Sequence, residues 1–218
     1  MSSYEKINKT YKSRKNLLNI LKKIGYDTSN YDGFDENEIS TLLEVDQLDM
    51  ILHKNENKDN KSKIYVKYDI NTSKINCDQN FLSKISDFFE SNDDKNTTIL
   101  NKNDTLIIII DAEMTDRIKE CLKNIYENYG YFVVVHNIIR LQYNILEHSL
   151  NPKYIHILDE DEIEEFKKKY FIDDLTKIPE ISRFDPYALS ICLRPGQICK
   201  VEYSSVNALN HQHYVYCI

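Results

Sequence analysis

Between Tyr4 and Ile24 the apolar positions Tyr11, Leu17, Leu18, Leu21 and Ile24 recur at helical spacing and predict an amphipathic helix. Gly25 follows as its C-cap, and Lys22 and Lys23 in the last turn suit the helix dipole. Asp35 to Leu52 reads as a second helix. The stretch from His53 to Ser62, HKNENKDNKS, has almost no apolar content and predicts an exposed, mobile loop. Ile64 to Ile70 reads as a strand, and Phe81 to Phe89 as a short amphipathic helix. Asp104 to Asp111 is so uniformly apolar that both faces of this strand must be covered. Helical spacing returns from Thr115 to Tyr129 through Ile118, Cys121, Leu122 and Ile125; Gly130 ends it, and Tyr131 to Val135 begins another buried strand. Strand, helix and strand within about thirty residues make a βαβ-like unit, so this part of the chain reads as α/β.

The pattern changes after residue 150, where all four prolines fall: Pro152, Pro179, Pro186 and Pro195. This predicts a boundary near Asn151-Pro152 and two domains, 1–147 and 148–218. The second begins with a strand, Tyr154 to Leu158. A helix follows from Asp159 to Tyr170, with acids in its first turns and lysines in its last. A short helix at Pro186 to Ser190, a turn at Arg194-Pro195-Gly196 and strands at Gln197–Glu202 and Gln212–Cys217 complete an α+β domain.

Charge narrows the function. The 218 residues carry 28 Lys plus Arg against 35 Asp plus Glu, a net charge of −7. Phosphate neutralisation needs a basic surface, so an autonomous nucleic-acid binder held by bulk charge is excluded, while local basic contacts stay open. The longest apolar run, Leu106 to Ile110, is too short to cross a bilayer, and the N-terminus carries no signal-like apolar segment. The expectation is a soluble intracellular protein with no membrane partner. Cys77, Cys121, Cys192, Cys199 and Cys217 are widely spaced and odd in number, and read as free, mostly buried thiols. His211 and His213 fall on one face of a strand; exposed strand polars are the ordinary reading, and no metal site is assigned. Ile, Lys and Asn together make up 73 residues against only 5 Arg, a bias towards AT-rich codons.

Catalytic motifs are scarce. The sequence contains no G-x-x-x-x-G-K loop, nucleophile elbow or H-E-x-x-H, and four glycines leave little to cradle a cofactor. No cofactor or small-molecule substrate is therefore assigned. Asp104, Asp111 and Glu113 bracket the apolar strand, where acids can hold a divalent metal for phosphodiester cleavage. Such a nuclease also wants an acid-x-lysine triplet on the next strand. Here Glu56-Asn57-Lys58 and Asp93-Asp94-Lys95 fall in polar loops instead. Cys192 and Cys199 sit among apolar neighbours and read as core, and His136 as a structural histidine.

The most specific stretch is Ile178-Pro179-Glu180-Ile181-Ser182-Arg183-Phe184-Asp185-Pro186-Tyr187-Ala188-Leu189, continuing as Leu193-Arg194-Pro195-Gly196-Gln197-Ile198-Cys199-Lys200-Val201. It resembles the C-terminal assembly domain of the fifth subunit shared by the eukaryotic nuclear RNA polymerases, whose archaeal counterpart has this part alone. That family's pattern is L-P-x-I-x-x-x-D-P-x-A, followed by a G-L-K-x-G turn and an apolar strand. Asn151-Pro152-Lys153-Tyr154 and the charged helix are similar to the family's V-P-K-H and helix, so the resemblance spans 148–218. Upstream, Lys23-Ile24-Gly25-Tyr26 and the Asp111-Ala112-Glu113-Met114-Thr115 turn look like parts of the eukaryotic jaw domain.

The resemblance implies an α/β jaw with a nuclease-like fold but no nuclease activity, joined to a small α+β assembly domain. It implies a non-catalytic structural subunit of a multisubunit DNA-dependent RNA polymerase, with nucleotide addition left to the large subunits. The assembly domain would pack on the largest subunit and neighbouring small subunits. The prolines rigidify the connections and lower the ordering cost of docking. The interface residues are then Pro179, Arg183, Asp185, Pro186, Arg194 and Gly196, the arginines as fixed partner contacts. The jaw would lie beside downstream duplex DNA, with Thr115, Asp116 and Arg117 placed to meet phosphate rather than base edges. Lys12, Arg14, Lys15, Lys22 and Lys23 make the first helix a second basic candidate.

Three departures stand out. Asp116 replaces the family's usual proline, Val201-Glu202-Tyr203 replaces I-I-R, and Asn210-His211-Gln212-His213-Tyr214 replaces G-R-Y. With the codon-like bias they point to a divergent polymerase such as one encoded by a large DNA virus, found in virion and host cytoplasm; a cellular subunit would be nuclear. The rival readings are a metal-dependent nuclease on Asp104, Asp111 and Glu113, and a free-standing transcription regulator.

Overall fold

The structure, a computed structural model, describes residues 3–55, 62–71, 78–90, 99–148, 152, 154–203 and 211–218. The chain divides into two compact units, Met1–Asn144 and Ile145–Ile218. Cys77, both acid-x-lysine triplets, Asn151, Lys153, Asn210 and most of the polar loop lie outside the described residues. No helix is long and apolar enough among the described residues to cross a membrane.

The first unit opens with α1 (Ser3–Lys23), which buries Leu17, Leu18, Ile20 and Leu21. Its end is a Schellman motif: the Gly25 amide donates to the Lys22 carbonyl and the Tyr26 amide to that of Leu21. Gly25 sits at φ 95°, a conformation that a Cβ would strain. α2 (Glu36–Glu44) starts in a capping box between Asp35 and Glu38.

It stops well short of the predicted end at Leu52. Asp46 turns to φ 56°, the Gln47 amide returns to the Leu42 carbonyl, and residues 50–53 form strand β1 (Met50–His53). Leu42, Leu43, Leu48, Met50 and Leu52 satisfy helical and alternating patterns alike. Pairing with β2 (Lys63–Asp69) decides between them, because it buries Met50 and Leu52 and turns Ile51 and His53 outward.

β1 is antiparallel to β2; β2, β3 (Thr105–Ile110) and β4 (Phe132–Asn137) run parallel in that order. α3 (Gln79–Phe89) connects β2 to β3 and α4 (Asp116–Tyr129) connects β3 to β4, making two consecutive βαβ units. Every residue of β3 and β4 is buried, as expected for central parallel strands covered on both faces. α4 ends where Gly130 takes φ 75°.

The second unit contains β5 (Tyr154–Ile157), α5 (Glu160–Tyr170), β6 (Glu180–Ile181), α6 (Pro186–Ser190), β7 (Ile198–Tyr203) and β8 (His211–Cys217). Its sheet runs β5-β7-β8-β6, antiparallel except that β6 joins β8 in parallel. α5 lies over one face, where Phe166, Ile178 and Ile198 are buried together with Ile163, Leu175, Tyr214 and Tyr216 packed around them. The Phe166 ring stands 4.3 Å from that of Tyr214. Burial of each such side chain contributes about 1.5–3 kcal/mol.

Cys192, Cys199 and Cys217 are free thiols, as the spacing predicts, and burial pushes them up to about 12, 12 and 11 respectively. Cys121 is the exception. It is disulfide-bonded, and sequence spacing could not have indicated this because only folding brings distant thiols within bonding distance.

Candidate assembly site

The segment from Ile178 to Gln197 wraps around the end of β8. The Pro179 carbonyl accepts the Tyr216 amide at 2.8 Å, and β6 pairs Glu180 with Tyr216 and Ile181 with Cys217. The Arg183 amide then donates to the Ile218 carbonyl at 2.9 Å. Next, Asp185 caps α6 by accepting the Tyr187 amide at 2.8 Å, with Pro186 at the first helical position. α6 closes on a Schellman motif in which the Leu193 amide reaches the Ala188 carbonyl and Cys192 occupies the left-handed position at φ 54°.

Arg194-Pro195-Gly196-Gln197 is a type II turn. The Gln197 amide donates to the Arg194 carbonyl at 3.1 Å, and Gly196 supplies φ 90° at the third position. The Gln197 Oε1 returns to accept the Arg194 amide at 2.9 Å. Gly196 also donates to the Cys217 carbonyl at 2.9 Å. Residues some twenty apart in sequence are thus tied to the last residues of β8 and to one another.

Their exposure separates their parts. Pro179, Pro186 and Gly196 are exposed, and Asp185 and Arg194 are half-buried. Arg183 is only 4% exposed, its guanidinium 5.1 Å from the Phe184 ring centre. Burial within its own unit makes Arg183 a brace of this fold rather than the fixed partner contact expected from the sequence.

In the first unit, Thr115 is the N-cap of α4, and Thr115, Asp116 and Arg117 are all exposed. Asp116 is 97% exposed and bonds Lys119 Nζ at 2.8 Å, which holds its carboxyl below the ordinary carboxylate range. Arg117 edges a 420 Å³ cleft between α3 and α4 that also holds Asp78, Gln79 and Glu120.

The basic row on α1 is broken at Arg14. Lys12, Lys15, Lys22 and Lys23 are exposed, but Arg14 is 3% exposed. Its Nη1 donates to the Leu48 carbonyl at 2.6 Å, and it lies 5.7 and 5.5 Å from the Tyr31 and Phe34 ring centres.

The acids of the nuclease reading do not converge. Asp104 precedes β3 and Asp111 follows it, which separates them by about 20 Å of extended chain. Asp104 is 1% exposed and accepts the Lys63 and Asn101 amides, each at 2.7 Å. Glu113 accepts from Asn137 Nδ2 at 2.9 Å and from Arg140 Nη2 at 3.5 Å. These carboxylates hold loops and strand ends together.

Comparison with known proteins agrees with the second unit's construction. The family described as RNA polymerase Rpb5, C-terminal domain, matches residues 143–217. The DNA-directed RNA polymerase subunit Rpo5 of Thermococcus kodakarensis is 33% identical over 73 residues, 34% of this chain and 87% of that protein. Its counterpart in Thermococcus onnurineus is 30% identical over 73 residues, with the same coverage of both chains. The DNA-directed RNA polymerase V subunit 5A of Arabidopsis thaliana is 28% identical over 207 residues, 92% of this chain and 84% of its own length. The first two relatives match about a third of the chain, whereas the third runs through both units. This chain belongs to the RNA polymerase Rpb5 C-terminal domain family.

Proposed function

We propose that this chain is a non-catalytic structural subunit of a multisubunit DNA-directed RNA polymerase. The observation that carries this reading is the coverage: a plant polymerase subunit aligns along 92% of the chain, through both units. The second unit is the assembly domain, docking on the largest subunit and its small neighbours. Pro179, Asp185, Pro186, Arg194 and Gly196 form its contact surface, and Arg183 braces that surface from beneath. Fixed turns support this part, since a surface ordered in advance loses little entropy on association.

The first unit is the jaw, with a nuclease-like α/β fold, and lies beside downstream duplex DNA. Thr115, Asp116 and Arg117 at the start of α4 meet phosphate, with Lys119 offsetting the Asp116 charge. Nucleotide addition resides in the large subunits. The Ile, Lys and Asn bias supports a virus-encoded polymerase, which places the protein in virion and host cytoplasm rather than in the nucleus.

The test is to tag the chain in its native source, purify it through a high-salt wash and count what remains. One copy beside each pair of large polymerase subunits is the expected result. Recovery alone, or in salt-labile and substoichiometric amounts, overturns the core-subunit reading in favour of a free-standing regulator. Fractionating the same cells locates the protein in virion, cytoplasm or nucleus; a nuclear protein absent from virions removes the viral assignment.

A further inference from the structure

His211 and His213 lie two residues apart on β8, so both side chains leave the same face of the strand. The ladder places them opposite Tyr203 and Val201 of β7. Both imidazoles are exposed, with ring centres 4.2 Å apart and planes at 85°. The Tyr203 ring stands 5.8 Å from that of His213. No hydrogen bond or ion pair engages either imidazole among the described residues, in contrast to His156, which is held by Glu162.

An imidazole nitrogen donates to a metal in the plane of its ring. The two exposed rings leave one face of the strand with centres 4.2 Å apart, close enough for rotation about the side-chain bonds to turn one nitrogen of each towards a common ion.

We propose that His211 and His213 form a two-imidazole half-site for a borderline transition-metal ion, Zn²⁺ or Cu²⁺, at the start of β8. Neutral imidazole suits these ions, whereas Mg²⁺ and Ca²⁺ prefer oxygen ligands. No group of three or more His, Cys, Asp or Glu suited to a metal exists among the described residues. The remaining coordination positions therefore go to water or to a donor from another molecule, which makes this an open site. The proposal is independent of the polymerase reading.

The test titrates ZnCl₂ into the full-length chain after chelator treatment and follows the histidine ring signals by NMR. A single saturable ion that moves the His211 and His213 rings first is the expected result, with Mg²⁺ leaving them in place. His211→Asn and His213→Asn should each weaken binding about a hundredfold, the scale of gain that joining two weak ligands provides. His53→Asn, at another exposed histidine, should change nothing. The proposal is overturned if no saturable shift appears in the unmodified chain, if Mg²⁺ competes equally, or if the double variant still binds. The titration of the unmodified chain decides the matter even if a variant folds poorly.

Discussion

Two positions in the candidate assembly site both take positive φ but carry different residues. Gly196 sits at φ 90° with open space where a Cβ would lie, so Gly196→Ala meets no clash and only backbone strain. It should cost the second unit about 1 kcal/mol, read as a lower urea midpoint. Cys192 at φ 54° is the opposite case, a side chain in a place that glycine fills without strain. Cys192→Gly should stabilise the second unit by about 0.5–1 kcal/mol, read as a higher urea midpoint. A fall instead would mean that packing of the half-buried thiol outweighs the strain. The D-P pair at 185–186 and the P-G pair at 195–196 announced their turns in the sequence, because cap and turn chemistry is local. The burial of Arg14 and Arg183 was not legible, since whether an arginine points to solvent depends on what folds over it.

At the scale of elements, α5 is joined to β5 by Glu162. Its carboxylate accepts the Asp159 amide at 3.0 Å in the capping box and meets His156 Nε2 at 2.7 Å. The amide bond first, and the His156 contact second, hold the Glu162 pKa below its ordinary value of 4.5. A depressed carboxylate stabilises the fold above its unfolded pKa and loses that contribution as pH falls through its folded value. Glu162→Ala should therefore cost about 1 kcal/mol at pH 7, a modest figure because the side chain is substantially exposed. The difference in urea midpoint between the two proteins should narrow below about pH 4.5, starting from the ordinary value of the group. A gap that stays constant to pH 3 would assign the loss to packing of the Glu162 methylenes rather than to the ionised carboxylate. The acid-to-base gradient of this helix was plain from residues 159–170 alone, whereas its link to His156 needed a strand beside it.

At the scale of the whole molecule, the proposed role makes two interfaces testable inside the assembled polymerase. Arg194→Glu changes a half-buried turn residue without removing the backbone bonds of the turn, and should weaken docking by about 2 kcal/mol or more. The readout is loss of the subunit in the high-salt wash, with Lys15→Glu on the exposed face of α1 as the control. Arg117→Ala should reduce the salt dependence of downstream DNA binding by about one unit of slope without altering sequence preference. An unchanged slope would remove Arg117 from the phosphate contact. Both expectations belong to the complex, because an isolated chain with net charge −7 has little hold on DNA.

The sequence by itself determined the elements whose signals are local: α1 with its glycine end, the two largely apolar strands around α4, the charged helix α5, and the proline-punctuated turns of the second unit. It carried the family resemblance for the same reason, since that resemblance rests on turn and cap residues at fixed spacing. Tertiary structure decided the rest. Met50 to Leu52 became a strand only because β2 lies alongside, β6 exists only through its parallel pairing with β8, and Cys121 found a disulfide partner. Asp104 was tied to the Lys63 amide of the neighbouring strand, and Tyr203 was brought beside His213 by the pairing of β7 with β8. Each of these outcomes depends on which distant segments pair, and pairing is a property of the folded chain rather than of any window along it.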